Sequence, residues 1–153
     1  FGLGKIGRRV ADIAKAFGCR VIYYSTSGKN FQQGYERVEF DALLEQSDIV
    51  SVHAPLDKNT RGLMNREAFR EMKSSAVFLN LGRGPIVVEQ DLADALETGE
   101  IAGAGLDVLC RKIKDSERLI ITPHIGWASV EARTRLMEII CQQIADFQNQ
   151  IIL

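Results

Sequence analysis

The stretch GLGKIG at residues 2–7 runs directly into a segment of helical periodicity. That junction limits the possible folds more than any other feature of the chain. In a G-x-G-x-x-G turn, the first glycine allows a tight reversal. The second lets the backbone approach a pyrophosphate, and the third lets helix and strand pack closely. Residues 5–17 place Ile6, Val10, Ile13, Ala14 and Phe17 at helical spacing, and Gly18 follows as a stop. The first turn of such a helix offers unpaired N–H groups and the positive end of its dipole to an anion. Alone the motif is weak, because a glycine-rich turn before any helix satisfies it. Its context decides.

The context is an alternation of strand and helix. Short apolar or β-branched runs at 21–24, 48–52, 76–79, 101–108 and 119–121 predict strands. Between them, 38–46, 65–72 and 89–97 read as helices, with Asn65 as an N-cap and Gly99 as a stop, and 129–148 as a long amphipathic helix. The glycines of IAGAGLDV at 101–108 predict close packing against another backbone. This order predicts an α/β fold, a doubly wound parallel sheet with helices on both faces. The strand that the glycine motif needs before it is represented only by Phe1. The chain is therefore expected to be a fragment of a longer polypeptide.

Composition narrows the functional classes. Nineteen basic and twenty acidic residues give a formal charge of −1, so no electrostatic footprint for nucleic acid or an anionic membrane is present. No apolar run approaches the roughly 18 residues of a spanning helix. Cys19, Cys110 and Cys141 are scattered singly, which argues against a disulfide framework and a structural zinc site. No metal is expected, and a reducing, cytoplasmic compartment is the default.

A nicotinamide-binding sheet usually carries an acid near the end of its second strand, gripping the adenosine ribose. Here no acidic residue occurs between Asp12 and Glu36, and the strand ends in YSTSGK at residues 24–29. Ser25 can serve a ribose hydroxyl or a 2′-phosphate, and Lys29 adds positive charge. NAD or NADP is therefore compatible. A solvated turn is the competing reading of the same residues.

Three further segments occur in order: NLGRG at 80–84, GAGLDV at 103–108 and TPHIGW at 122–127. Together with SDIVSVHAPLDKNTRGLMN at 47–65, they resemble the D-isomer-specific 2-hydroxyacid dehydrogenase family over essentially the whole chain. The resemblance implies a Rossmann-type cofactor-binding domain, residues 1–153, of a two-domain protein whose substrate domain lies outside this sequence. It implies that Gly2, Gly4, Lys5 and Ile6 hold the pyrophosphate and that Ser25 occupies the ribose position. His53, Ala54, Pro55 and Thr60 would line the cofactor after the third strand, although His53 reads equally as a plain turn residue. Leu81, Gly82 and Arg83 would flank the nicotinamide ribose, and Asp107 would receive the nicotinamide amide. Arg83 would bind substrate, His124 would be the acid/base and also contact cofactor, and Gly126 would contact cofactor beside it.

The chemistry suits those residue types independently. Reduction of a 2-keto acid needs a fixed cation to orient the carboxylate, for which arginine's planar fork is suited. It also needs a proton donor near neutral pH, which histidine supplies. As isolated residues, Arg83 could pair with a surface carboxylate and His124 could cap a helix. One departure from the family pattern is Lys112, which stands where family members have a glutamate that favours the protonated histidine. The expectation is either that a loop carrying the glutamate is absent from the sequence or that the protein is a catalytically weak homologue. A hydroxypyruvate or glycerate enzyme is the leading expectation, with a small 2-keto or 2-hydroxy acid as substrate. A dinucleotide-sensing transcriptional corepressor of the same family is the alternative. The long amphipathic helix from Ser129 and the resemblance suggest a homodimer, while Trp127 reads equally as a residue packed at a subunit interface or as a substrate contact.

Overall fold

The computed structural model describes residues 1–28, 31, 34–108 and 116–151. They fall into two compact units, Phe1–Thr122 and Pro123–Leu153. In the first unit, helix α1 (Lys5–Ala16) leads to strand β1 (Ile22–Tyr23), strand β2 (Glu36–Arg37) and helix α2 (Phe40–Gln46). Strand β3 (Ile49–Val52), helix α3 (Arg66–Glu71) and strand β4 (Val77–Asn80) follow. A 3-10 turn (Gly84–Ile86), helix α4 (Glu89–Thr98), strand β5 (Gly103–Leu106) and strand β6 (Leu119–Ile121) complete it.

All strand pairs are parallel, in two groups ordered β1-β2 and β3-β4-β5-β6. Phe1 and Gly2 join the groups. The Gly2 amide donates to Tyr24 O at 3.0 Å, and the His53 amide donates to Phe1 O at 2.8 Å. The Phe1 nitrogen donates to Ser51 O at 2.6 Å. From this central segment the chain winds first to β1 and β2, then back across to β3 and outward to β6. The doubly wound parallel sheet expected from the sequence is thus the observed one, and its winding reverses beside Phe1 and Gly2.

Alternation along the strands sorts side chains onto two faces. Leu3, Tyr23 and Ala11 of α1 form a small cluster on one face. Phe1, Val50, Val52, Phe78, Ala104 and Leu106 pack with residues of α2, α3 and α4 on the other. The inward face of α1 is Gly7 and Ala11. Its larger apolar residues Ile6, Val10, Ile13 and Phe17 are exposed. The reason is proximity. A Cβ on Gly7 would lie 2.2 Å from Gly2 O, so only the smallest side chains fit between α1 and the backbone below.

Local signals behave as their chemistry requires. Asn65 caps α3, its side chain accepting from the Ala68 amide at 3.0 Å. Gly99 ends α4 in the left-handed region at φ 76°. A Cβ on Gly103 would meet Arg118 O at 3.1 Å, the close backbone approach expected there, whereas Gly105 faces a side chain, Leu79 Cδ2, at 2.9 Å. Strand β2 has no counterpart in the sequence reading, because two exposed polar residues carry no apolar pattern. The second unit contains helix α5 (Val130–Ile151). Ser129 caps it, with Oγ accepting from the Ala132 amide at 3.1 Å. Among the described residues, no helix is long and apolar enough to cross a membrane.

Candidate functional site

In an open parallel sheet, ligands bind beyond the carboxyl ends of the strands where the winding reverses. Here that point is flanked by Tyr24 and Ser25 after β1, Gly2 to Gly4 in the middle, and His53 and Ala54 after β3. The three glycines of the motif have different reasons to be glycine. Gly2 adopts φ +87°, and a Cβ there would lie 2.7 Å from the Ala54 nitrogen. Gly7 is blocked by Gly2 O. Gly4 has neither constraint. Its φ of −78° and ψ of −162° are open to any residue, and a Cβ would meet nothing within 4 Å. Glycine is a favoured N-cap residue, and no described atom crowds this one; a bare backbone at a helix N-terminus is also the surface that a bound anion requires. No side chain caps this helix and its first turn holds no acid, so no internal carboxylate competes for the amides.

Ser25 is buried, 5% exposed, with its hydroxyl 3.5 Å from that of Ser27. The Gly28 amide closes the turn onto Ser25 O at 3.1 Å. Arg37 of β2 holds it from outside, donating from Nη1 to Gly28 O at 2.9 Å. The sequence reading assigned nothing to Arg37, since its neighbourhood to the turn depends on the β1-β2 pairing. Lys29 and Lys112 lie outside the described residues.

His53 is half-buried, with Nε2 2.9 Å from Ser51 Oγ. Burial lowers its pKa to about 4. It is therefore a neutral ring at neutral pH. Ala54 is buried and Pro55 exposed. Thr60 is fully buried. It donates to Pro55 O at 2.7 Å and accepts from the Asp57 amide at 2.8 Å, so its hydroxyl shapes the 53–60 loop from within.

The crevice continues along β4 and β5. A Cβ on Gly82 would touch Ala54 O at 3.4 Å, which brings the 81–83 loop beside the end of β3. Leu81 and Arg83 are exposed, and Arg83 Nη1 donates to Gly82 O at 2.8 Å. Asp107 is 5% exposed. Thr122 Oγ1 donates to Asp107 Oδ1 at 2.5 Å, and the Asp107 amide donates to Asn80 O at 3.0 Å. The first unit thus brings Gly2, Gly4, Ser25, His53, Ala54, Gly82, Arg83 and Asp107 to one edge of one sheet.

His124 and Gly126 lie in the second unit. His124 is exposed and has φ 55°. It is the one non-glycine among the described residues with positive φ. Such backbone conformations cost energy and cluster at functional sites. Trp127 Nε1 donates to His124 O at 2.8 Å, and the Ala128 amide donates to Ile125 O at 2.9 Å. These two bonds hold the turn that presents the imidazole.

Residues 1–126 match the model of the D-isomer specific 2-hydroxyacid dehydrogenase NAD binding domain. The chain belongs to the D-isomer-specific 2-hydroxyacid dehydrogenase family. A hydroxypyruvate reductase from Blautia hydrogenotrophica is 41% identical to this family member over 156 residues, covering 95% of this chain and 48% of the relative. An acyclic imino acid reductase solved with NADPH and D-Arg superposes with a TM-score of 0.91 at 34% identity, covering 97% of this chain and 50% of that one. A D-lactate dehydrogenase from Lactobacillus jensenii, solved with NAD+, gives 0.88 at 30% identity, covering 97% and 51%. The chain therefore spans about half the length of the relatives it matches. The matched model is that of an NAD binding domain, and the two solved neighbours carry NADPH and NAD+.

Proposed function

We propose that residues 1–153 are the dinucleotide-binding domain of a two-domain oxidoreductase that interconverts a small 2-keto acid and its D-2-hydroxy acid, hydroxypyruvate or glyoxylate being the leading substrates. The observation that carries this reading is Gly4, whose Cβ would meet nothing within 4 Å, at the N-terminus of α1 beside the point where the winding of the sheet reverses. Gly2, Gly4, Lys5 and Ile6 hold the pyrophosphate against the bare N-terminus of α1. Ser25 sits at the adenosine ribose. The absence of an acid at that turn, with Arg37 beside it, supports acceptance of NADPH as well as NADH. His53, Ala54, Pro55, Thr60, Leu81 and Gly82 form or shape the remaining cofactor wall of the first unit, and Gly126 is a further cofactor contact supplied by the second. The buried Asp107 carboxylate accepts from the nicotinamide amide, held by Thr122.

The bound cofactor supplies the hydride. Arg83 holds the substrate carboxylate with a bidentate fork and polarises the carbonyl. His124 gives the proton to the substrate oxygen in reduction and takes it back in oxidation. The neutral His53 adds no charge that would compete for the substrate. The names of the relatives point to the substrate class: hydroxypyruvate reductase in Blautia hydrogenotrophica, and glyoxylate reductase in Korarchaeum cryptofilum. The exposed apolar residues Leu136, Ile140, Ile144 and Phe147 of α5 support self-association as a homodimer. Cys19 and Cys141 are both free and exposed, in keeping with a reducing cytoplasm.

The test is oxidation of NADH and of NADPH by the full-length protein with hydroxypyruvate, glyoxylate and pyruvate in turn. Turnover with at least one of the three acids is expected. Tight cofactor binding without turnover on any of them would overturn the enzymatic reading and favour a dinucleotide sensor.

A further inference from the structure

Asn80 ends β4 with its side chain fully buried. Both ends of its amide are committed to the loop that follows. Oδ1 accepts from the Gly82 amide at 3.0 Å, and Nδ2 donates to Arg83 O at 3.1 Å. The orientation of the amide is fixed by these partners, because an N–H must face the oxygen and a carbonyl must face the NH₂. The backbone of Asn80 also acts: its carbonyl accepts from the Asp107 amide at 3.0 Å. One residue therefore ties the loop bearing Arg83 to the strand end bearing Asp107.

We propose that Asn80 is a positioning residue for the substrate arginine, fixing the Arg83 backbone relative to Asp107 through its two side-chain hydrogen bonds. The proposal rests on the reading of Arg83 given above and adds the element that aims it. The local chain supports the need for such an element. The Arg83 side chain is exposed and its Nη1 donates back to the Gly82 carbonyl at 2.8 Å, so its direction is set by the backbone of its own loop. That backbone is held on one side by Asn80 and on the other by the 3-10 turn, where the Ile86 amide donates to Arg83 O at 3.2 Å. The tested replacements do not reproduce the Asn80 clamp. Aspartate keeps the acceptor for Gly82 but turns a second acceptor toward Arg83 O, and alanine removes both bonds. Serine is too short to reach both groups.

The experiment uses the full-length protein with Asn80→Asp and Asn80→Ala, each in the wild-type and the Arg83→Ala background. Four quantities are measured: kcat/KM for hydroxypyruvate, cofactor dissociation constant by fluorescence, melting temperature, and hydrogen exchange of the 81–84 segment. In the wild-type background each substitution should lower kcat/KM about tenfold to a hundredfold, the scale of a small misplacement of a binding group. Cofactor affinity should fall by a smaller factor than kcat/KM, since the pyrophosphate site is separate and the 81–83 loop and Asp107 border only the nicotinamide end. Exchange at 81–84 should rise in Asn80→Ala. In the Arg83→Ala background the same substitutions should cost less than about twofold, because a residue that acts through Arg83 has nothing left to position. Equal losses in both backgrounds would overturn the proposal while leaving the role of Arg83 intact. If Arg83→Ala itself keeps full kcat/KM, the reading of Arg83 falls and the proposal falls with it. Failure of both Asn80 variants to fold would mark Asn80 as a stability residue and also overturn it.

Discussion

On the β1–β3 side of the crevice, Gly2, Gly4 and Gly7 make a surface by leaving side chains out. On the β4–β6 side, Asn80 and Asp107 make one by burying polar side chains and satisfying them, Asp107 through the half-buried Thr122. The first construction fails when an atom is added, because Gly2 and Gly7 have backbone within 2.2 to 2.9 Å of a Cβ. The second fails when a partner is removed, because a buried donor or acceptor left alone costs about 1–3 kcal/mol. The difference matches the tasks. A pyrophosphate is recognised by backbone amides and needs close approach, whereas an amide and a carboxylate need directed side-chain groups.

The largest expected effect lies outside both constructions. His124→Gln keeps a polar group but no proton that titrates near neutrality. In the full-length enzyme it should lower kcat by about 10²–10⁴-fold, the usual worth of a positioned general acid, with cofactor affinity unchanged. Wild-type kcat in that variant would move the search for the proton donor to the residues around Lys112.

Gly7→Ala tests the glycine side. Its Cβ would overlap Gly2 O at 2.2 Å, and backbone must move to relieve it. The cost should be about 3 kcal/mol or more, read as a drop in melting temperature together with lost cofactor binding. An unchanged melting temperature would show that α1 does not lie this close to Gly2. Thr122→Val tests the other side. It removes the bond to the buried Asp107 carboxylate, which should cost about 1.5–3 kcal/mol and weaken nicotinamide binding. A variant as stable as wild type, with unchanged cofactor affinity, would remove Asp107 and Thr122 from the site.

The smallest effect is acid sensitivity at His53. Its folded pKa, about 4, lies below the roughly 6.5 of an unfolded histidine. Between those values the unfolded chain binds a proton that the folded chain excludes, so stability falls as pH falls through that window. Replacing His53 by Gln should flatten this part of the stability curve. An imidazole titrating near 6.5 by NMR would contradict the burial seen here.

These two sides also differ in how far the sequence reveals them. Glycines at fixed spacing before a helical stripe are visible directly, and so is the strand-helix alternation that gives them meaning. The arginine, aspartate and histidine were legible only through ordered resemblance, since one charged residue after a strand has many bland explanations. Asn80 stood inside the NLGRG motif without an assigned role, because its value depends on which backbone groups its amide meets after folding. Arg37 was missed because β2 has only two residues, both polar. The stripe on α1 predicted the helix correctly but not its buried face, which the tight passage over Gly2 assigns to Gly7 and Ala11.

Gly4 separates a ligand-imposed glycine from a fold-imposed one, and Gly4→Ala is the most direct test of the account. The measurement is a fluorescence titration of NADH and NADPH into the full-length wild type and variant, with melting temperatures recorded on the same samples. The account predicts at most a small drop in melting temperature, since a Cβ there meets nothing within 4 Å and alanine in place of glycine at an N-cap costs about 1 kcal/mol or less. It also predicts at least about a tenfold loss of affinity for both cofactors, because that Cβ projects where the pyrophosphate must approach. Full affinity in a stable Gly4→Ala variant would contradict the placement of the dinucleotide in this crevice.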